Sequence, residues 1–352
     1  MVKIGSLSDM KSLFQAGFED NEETLSKYGE SRTTQLKAYL IESNCKISDQ
    51  INIEGYGSWK KLEGSQNWYV NLGTSYDNMP GSFFLDTTRS RVWVLYSLID
   101  AGISDSAVLK WISGTNGLDR CWLSRNQLLY YKKKENWHEK GIGIKFSDGL
   151  THDEEDVGNF SLKAWYGARR KLPGLVDVIE KAKENFAIYS ARWQKINDGS
   201  VSISAEWYSN GKVTINRALD VDEVMLSVTE MANIYEDAIN DATEVRNKKM
   251  GAFELNFKQN IDLDAFKDTV SMGRGTMNLW LVETESEKDF RRFKGVDLHT
   301  WDRILIDVGE DYAYLTIPGK GCVNAAPRIA TLQGEDNGGK TSIYFDGIEM
   351  FA

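Results

Sequence analysis

Residues 201–241 read VSISAEWYSNGKVTINRALDVDEVMLSVTEMANIYEDAIND, and they combine two hydrophobic periods. Apolar and polar residues alternate strictly from Val201 to Trp207, which is typical of a strand with one buried face. Asn210-Gly211 then supplies the positive φ angles of a tight turn. Beyond Asp220 the apolar residues recur every three or four positions, as in an amphipathic helix. The stretch therefore predicts a β-hairpin followed by a helix.

Turn length decides the register of this hairpin, because a slip of one residue moves every side chain to the opposite face. A two-residue loop would set a polar residue against Trp207. A three-residue loop ending at Gly211 instead pairs Trp207 with Val213. It also pairs Ala205 with Ile215, so that apolar residues face one another. We therefore predict a bulged hairpin with a left-handed Gly211.

The helix that follows has a capping residue and a single apolar stripe. Asp220 or Asp222 can cap its N-terminus. Acidic residues occupy much of the remaining surface, so we expect the helix to pack on the hairpin and to present a negative face to water. The stripe consists of Val221, Val224, Val228, Met231, Tyr235 and Ala238.

Length and composition indicate a folded chain of more than one core. The 352 residues are 41% hydrophobic, and domains typically hold roughly 100–200 residues, so two domains are expected. The net charge of -10 opposes binding of nucleic acid by the surface as a whole, but it leaves room for a local basic groove. The three cysteines are far apart, which suits a reducing compartment. With no signal peptide or membrane span indicated, we expect a cytoplasmic protein.

The order of the predicted elements favours an α+β fold. Strands that follow one another with few crossover helices are typical of mostly antiparallel sheets, here with helices packed on one face. Residues 7–43 carry short helical patterns, broken at glycines. The predicted organisation is an N-terminal α+β domain over 1–150, an acidic linker over 151–158 and a C-terminal α+β domain over 159–352. The C-terminal domain contains the hairpin and helix at 200–241.

Motifs for nucleotide, metal or nuclease chemistry are weak. Gly334 to Thr341 matches the phosphate-loop pattern, but the following SIYF is strand-like, whereas a phosphate loop requires a helix there. Asp9-Met10-Lys11 matches the nuclease pattern (D/E)-x-K, yet no strand precedes it. His138 and His299 are isolated, and the acidic run Asp153 to Asp156 is typical of a solvated linker. We therefore predict no metal site, no cofactor and no catalytic residues.

Two basic segments are the candidate binding sites. Glycine-rich turns place Arg274 and Lys320 on loops, and Arg328 follows on a short predicted helix. If the sheet brings them together, these residues would bind an anion or a carboxylate of a partner; otherwise they belong to two surface turns. A second tract, at 120–145, interleaves basic and aromatic residues, which suits either a nucleic-acid backbone or a helix with buried rings. Its candidate contacts are Arg125, Lys132, Lys133 and Lys134.

Three classes of function fit these observations. The leading expectation is a non-catalytic binding or assembly subunit of a prokaryotic nucleic-acid-directed complex, with defence against phage or plasmids as a hypothesis for its setting. Its many aromatic residues are common anchors of interfaces, so a protein partner or a homo-oligomer is expected. The alternatives are a metal-dependent nuclease or phosphodiesterase built from dispersed carboxylates, and a sensor of an anionic nucleotide.

Overall fold

The computed structural model describes residues 4–20, 35–45, 53, 58–72, 81–147, 159–165, 173–249, 251–270 and 277–352. In this part of the chain every pair of neighbouring strands in a sheet is antiparallel, and the strands form two sheets, one of eleven and one of seven. The predicted α+β class with antiparallel sheets is confirmed. No described helix is long and apolar enough to cross a lipid bilayer.

The first sheet runs in the order β2-β3-β4-β5-β1-β11-β10-β9-β7-β8, and β6 pairs with β1 beside this path. Its strands are β1 (Lys37–Ser43), β2 (Lys60–Lys61), β3 (Trp68–Leu72), β4 (Ser82–Asp86), β5 (Val92–Ser97), β6 (Leu118–Arg120), β7 (Trp137–Ser147), β8 (Asn159–Trp165), β9 (Ile188–Asn197), β10 (Ser200–Tyr208) and β11 (Lys212–Ala218).

The second sheet runs in the order β13-β14-β15-β16-β12-β17-β18. Its strands are β12 (Phe253–Phe257), β13 (Leu279–Glu287), β14 (Phe290–Asp297), β15 (Asp302–Gly309), β16 (Tyr312–Thr316), β17 (Thr341–Phe345) and β18 (Ile348–Met350). The helices are α1 (Leu7–Phe18), α2 (Ala101–Gly114), α3 (Arg125–Leu128), α4 (Pro173–Asn185), α5 (Val221–Lys248), α6 (Leu263–Val270) and α7 (Ala325–Asn337), and a 3-10 helix covers Tyr130–Lys133.

The β10–β11 hairpin has the predicted register. Trp207 lies opposite Val213 and Ala205 lies opposite Ile215. Gly211 has a φ of 77°, so the left-handed turn residue is also confirmed. The pairing shifts by one residue between Ser204 and Ala205, a bulge that the alternation did not predict. The hairpin thus buries one continuous apolar face.

Helix α5 begins after Asp220, whose side chain accepts a hydrogen bond from the Glu223 backbone N–H at 2.9 Å. The predicted stripe is buried from Val221 to Tyr235, whereas Ala238 is only half-buried. The helix also extends seven residues beyond Asp241, to Lys248. Its buried face contributes to a core shared with both sheets, so α5 connects the two halves of the molecule.

The helical interpretation of residues 7–43 was wrong at its end, because 37–43 form β1, a central strand that is buried throughout. The predicted linker 151–158 lies outside the described residues. Strands from both sides of it, β7 and β8, pair with each other in the first sheet. The two sheets therefore do not follow the predicted boundary.

Candidate functional site

The structure separates Lys320 from Arg328, two of the three residues of the predicted anion site. Arg274 lies outside the described residues, and Lys320 is exposed in the loop before α7. Arg328, on α7, is fully buried and bound by two carboxylates, with Asp119 at 2.5 Å and Asp297 at 2.6 Å. Arg328 therefore does not join Lys320 at a surface site, because its charge is already neutralised inside the molecule.

In the basic tract at 120–145, three of the four candidate nucleic-acid contacts already have partners within the protein. Arg125 donates a hydrogen bond to the Lys183 carbonyl oxygen at 2.7 Å. Lys132 and Lys134 form ion pairs with Glu180 and Glu230 at 3.2 and 2.7 Å, whereas Lys133 is exposed. Two of the interleaved aromatic rings, at 122 and 131, are buried in the core. These rings therefore stabilise the fold and are not available to stack on bases.

The other motifs have structural roles. Residues 334–337 form the last turn of α7, and a strand, β17, follows from Thr341. The strand after the motif was predicted from the sequence, whereas the helix before it was not, and helix and strand stand in the opposite order to a phosphate loop. In the nuclease-like match, the Asp9 carboxylate caps α1, and Lys11 forms an ion pair with Asp222 at 2.5 Å.

A polar cluster with a buried centre lies where the first sheet meets the loops of the second. It consists of Glu42, Asn44, Arg91, His299 and Cys322, hereafter the Glu42 cluster. Glu42 is on β1, His299 is in the turn between β14 and β15, and Cys322 is in the loop before α7. The Glu42, His299 and Cys322 side chains belong to residues no more than 5% exposed. Residues distant in the sequence thus meet in the interior.

Hydrogen bonds fix the position of His299. Its backbone N–H donates to an Asp297 carboxylate oxygen at 3.1 Å, and its carbonyl oxygen accepts from the Gly117 N–H at 2.7 Å. Its ring Nε2 lies 3.2 Å from the Glu42 carboxylate. The other ring nitrogen, Nδ1, is buried with no hydrogen-bond partner in the described parts of the chain.

The charged groups of the cluster lie in direct contact. The Arg91 guanidinium donates to Glu42 through Nε at 3.2 Å and through a second, shorter hydrogen bond. Burial opposes a charged imidazole, but the Glu42 carboxylate and Cys322 raise the pKa of His299 to about 10. Burial and the Glu42 charge raise the pKa of the Cys322 thiol. The cluster therefore holds a protonated histidine beside a protonated thiol.

A second polar network adjoins the cluster and connects β6, α5 and α7. Asn324 donates to an Asp119 carboxylate oxygen at 2.8 Å, the same oxygen that binds Arg328. The Tyr235 hydroxyl, from α5, donates to Asn324 at 2.5 Å and accepts from the Trp122 N–H at 2.9 Å. The network thereby fixes α7 against the first sheet and α5.

The sequence did not indicate these residues as a group. Glu42 and His299 are 257 positions apart, and neither has a spacing motif to a cysteine. Only the sheet topology brings them together. His299, which the sequence left isolated, is the member whose residue type could have drawn attention.

A pocket beside β1 contains an arginine that forms no direct ion pair within the described residues. Arg120 lines it together with Lys212 and Tyr39, and Asp105 binds both of these partners, Lys212 at 2.5 Å and the Tyr39 hydroxyl at 2.7 Å. The cavity holds about 80 Å³. Among the described residues Arg120 has no side-chain hydrogen bond or direct ion pair, although the nearby Asp119 and Asp105 carboxylates favour its charged form.

The second sheet exposes apolar side chains on the face turned away from the core. Trp280 and Val282 on β13 are 55% and 60% exposed, and Tyr314 on β16 is also exposed. Cross-strand pairing places Trp280, Val296 and Arg303 in one row and Val282, Lys294 and Leu305 in the next. We call the outer face the surface formed by Trp280, Val282, Lys294, Val296, Arg303, Leu305 and Tyr314.

Comparison with known proteins finds one family. Residues 1–334 match the family described as MJECL33-like protein. The protein MJECL33 of Methanocaldococcus jannaschii, described as uncharacterized, is 22% identical over 341 residues, and the match covers 84% of this chain and 82% of that protein. The similarity thus extends over both sheets.

Proposed function

The chain belongs to the MJECL33-like protein family, and we propose that it is a non-catalytic binding subunit of a prokaryotic complex directed at nucleic acid. The outer face contacts a single strand of that nucleic acid. Defence against phage or plasmids is the setting that we propose for the complex. The proposal is carried by one observation, the exposed aromatic residues on the outer face.

The outer face departs from the usual pattern of a half-exposed sheet. Strands of antiparallel sheets normally alternate apolar residues toward the core with polar residues toward water. On β13 the inward Leu279 and Leu281 are buried, yet the outward Trp280 and Val282 are apolar as well. A contiguous apolar patch on a solvent-facing surface commonly marks a binding site. The departure favours a surface that a ligand covers.

The charges around the patch favour a single-stranded nucleic acid. Lys294 and Arg303 are exposed and form no ion pair within the described ranges. Arg303 lies two strands from Trp280, about 10 Å away at the usual strand spacing. Aromatic rings stack on bases and neighbouring cations bind phosphates, the combination found in proteins that bind single strands. Arg292 contributes no free charge, because Asp307 and Glu285 bind it.

The predicted affinity depends only modestly on salt. The net charge of -10 opposes binding of nucleic acid by the protein surface as a whole. Two cations that each contact one phosphate of a single strand give a slope of log affinity against log salt of about -1.4. Stacking therefore supplies most of the binding free energy, and Trp280 is the residue whose loss matters most.

Fluorescence anisotropy with labelled 20-nucleotide oligo(dT) and oligo(rU) tests the proposal. Trp280→Ala removes one stacking platform and is expected to weaken binding roughly 5- to 150-fold, corresponding to about 1–3 kcal/mol per base. Lys294→Gln combined with Arg303→Gln is expected to flatten the salt dependence. Leu226→Ala is the matched control, because Leu226 is an equally exposed apolar residue on α5, away from the outer face.

Two outcomes would overturn the proposal. The first is the absence of oligonucleotide binding by the wild-type protein at low salt. The second is equal binding by Trp280→Ala and Leu226→Ala. Sedimentation of the same variants distinguishes a protein interface, since a homo-oligomer that dissociates on Trp280→Ala would assign the outer face to a second copy of the chain.

The Arg120 pocket supports a second candidate function, the sensing of a small anionic ligand. The Arg120 guanidinium, which forms no direct ion pair, lies beside Lys212 and a tyrosine hydroxyl, and this grouping suits a phosphate group that would take the place of Asp105 at Lys212. Thermal-shift measurements with inorganic phosphate and nucleotides test it, because a ligand at 100 times its Kd adds about 2.7 kcal/mol. Arg120→Gln should abolish the shift, and Arg217→Gln, an exposed arginine on β11, should retain it. No shift with any of these anions would eliminate this candidate.

A further inference from the structure

The Glu42 cluster assembles three classical metal-binding side chains. The ligand atoms of Glu42, His299 and Cys322 all lie within 4.8 Å of one another, and all three residues are buried. They come from a central strand of the first sheet, a turn of the second sheet and the loop before α7. Neither the family description nor the sequence motifs point to this convergence.

The distances within the cluster fit a tetrahedral ion. Zinc binds oxygen and nitrogen at about 2.0–2.2 Å and sulfur at about 2.3 Å, so the edges of its ligand tetrahedron measure roughly 3.3–3.7 Å. Glu42 Oε2 lies 3.2 Å from His299 Nε2, and Glu42 Oε1 lies 3.5 Å from Cys322 Sγ. Each separation is close to a tetrahedral edge, but the two start from different Glu42 oxygens. With one donor atom per residue the three atoms lie within 4.8 Å of one another, so the carboxylate would turn to present a single oxygen to both edges.

Asn44 occupies the fourth corner. Its amide Nδ2 lies 3.1 and 3.2 Å from the two Glu42 oxygens and 3.5 Å from both His299 Nε2 and Cys322 Sγ. A half-turn of the amide about the Cβ–Cγ bond exchanges its nitrogen and oxygen positions. The oxygen then stands at the same distances and completes a set of four donors.

We propose that Glu42, Asn44, His299 and Cys322 bind one Zn²⁺ ion. Thiolate and imidazole ligands favour zinc over magnesium or calcium, which prefer oxygen donors. Zinc binds the thiolate form of cysteine and the neutral form of histidine, so Zn²⁺ with the Glu42 carboxylate and the Cys322 thiolate forms a centre with no net charge. Arg91, which contacts Glu42 and lies 3.6 Å from Cys322 Sγ, then faces a neutral centre.

The site would be structural. Structural zinc sites are closed by four protein ligands, whereas catalytic sites leave one position open to water. Here Glu42, His299 and Cys322 are buried, whereas Asn44 closes the site from its exposed side. Because the donors come from both sheets, the ion would hold β1 to the β14–β15 turn. This inference does not depend on nucleic-acid binding by the outer face, and either proposal can fail alone.

Metal analysis and cobalt spectroscopy test the site. The full chain, purified from zinc-supplemented medium and dialysed without chelator, is expected to retain about one zinc per chain by mass spectrometry. Co²⁺ exchanged into the site should give a thiolate-to-cobalt charge-transfer band. Cys322→Ala should lose both the zinc and the band. Cys121→Ala is the matched control, because Cys121 is also a buried thiol but is not among the proposed ligands.

The wild-type protein alone can overturn the proposal, so the test does not require every variant to fold. Less than a tenth of an equivalent of zinc in the wild-type protein, together with no cobalt band, would overturn the proposal even if Cys322→Ala failed to fold. Equal zinc content in Cys322→Ala and Cys121→Ala would overturn it as well. A melting temperature that falls on chelation in wild type and Cys121→Ala, but not in folded Cys322→Ala, supports it.

Discussion

Arg328 shows how a single residue can hold two sheets together. Its guanidinium binds Asp119 from β6 and Asp297 from β14, and none of its surface reaches water. Burial of three charges costs several kcal/mol per ion, and their mutual attraction repays this cost only while every partner is present. The attachment of α7 to both sheets therefore depends on one side chain.

Replacing Arg328 by methionine should destabilise the protein strongly. The two aspartates would remain buried without a counter-ion, and breaking such pairs lowers the free energy of unfolding by about 3–5 kcal/mol. Urea denaturation measures this loss. Lys320→Met, an exposed position in the preceding loop, is the control and should change stability by less than about 0.5 kcal/mol. A loss below 1 kcal/mol for Arg328→Met would contradict the assigned role.

Sequence alone could not place these residues. Arg328 follows a glycine-rich loop, so its charge indicated a surface site, and nothing local shows that two aspartates 209 and 31 positions away will surround it. The Glu42 cluster was missed for the same reason, since its members share no spacing. Sites formed by long-range pairing of strands are visible only once the sheet order is known.

At the scale of elements, the β10–β11 hairpin was predictable because its information is local. Asn210-Gly211 and the flanking alternation determine turn and register within about fifteen residues. β1 was not predictable in this way. Its sequence KAYLIES is buried at every position, because α2 packs on one face and the main core on the other. A strand buried on both faces loses the period of two.

The hairpin turn offers a matched pair of glycine substitutions. Gly211 and Gly199 both have a φ of 77°, so alanine is strained at either position. At Gly199 an added Cβ meets nothing within 4 Å, whereas at Gly211 it would lie 2.7 Å from the Cys121 carbonyl oxygen. Gly199→Ala should therefore cost about 1–2 kcal/mol from the backbone alone.

Gly211→Ala should cost clearly more than Gly199→Ala, because backbone atoms of β1 and of residue 121 must also move. Urea denaturation of both variants gives the comparison. Equal losses would show that the close approach at Gly211 is relaxed at little cost, and would contradict this account of the turn.

At the scale of the whole molecule, the principal core does not divide at the predicted linker. One cluster of buried residues includes Trp207 of the first sheet, Tyr235 of α5 and Phe293 of the second sheet. Elements that share a core tend to unfold together. The shared core therefore predicts one cooperative unit, whereas separate domains over 1–150 and 159–352 would predict two transitions.

Hydrogen exchange separates these two expectations. Phe293→Ala, in the second sheet, is expected to remove about 3–5 kcal/mol of stability. In a single cooperative unit the slowest amides of β10, in the first sheet, should lose as much protection as those of β15. Phe83→Ala, in the smaller cluster beneath α2, provides the reciprocal test from the first sheet. Unchanged protection of β10 in Phe293→Ala would indicate independent units.

The position of β1 has a consequence for the newly made chain. β1 pairs with β5 on one side. On the other side its residues 41–43 pair with β6, and its residues 37–39 pair with β11, which begins about 170 residues after β1 ends. At roughly 5–20 residues per second, a ribosome needs about 8 to 34 seconds to make that interval. During this time residues 37–39 of β1 present an unpaired strand edge, to which another nascent chain on the same messenger can pair. Slower translation between β5 and β11 would lengthen this exposure and lower the yield of native protein.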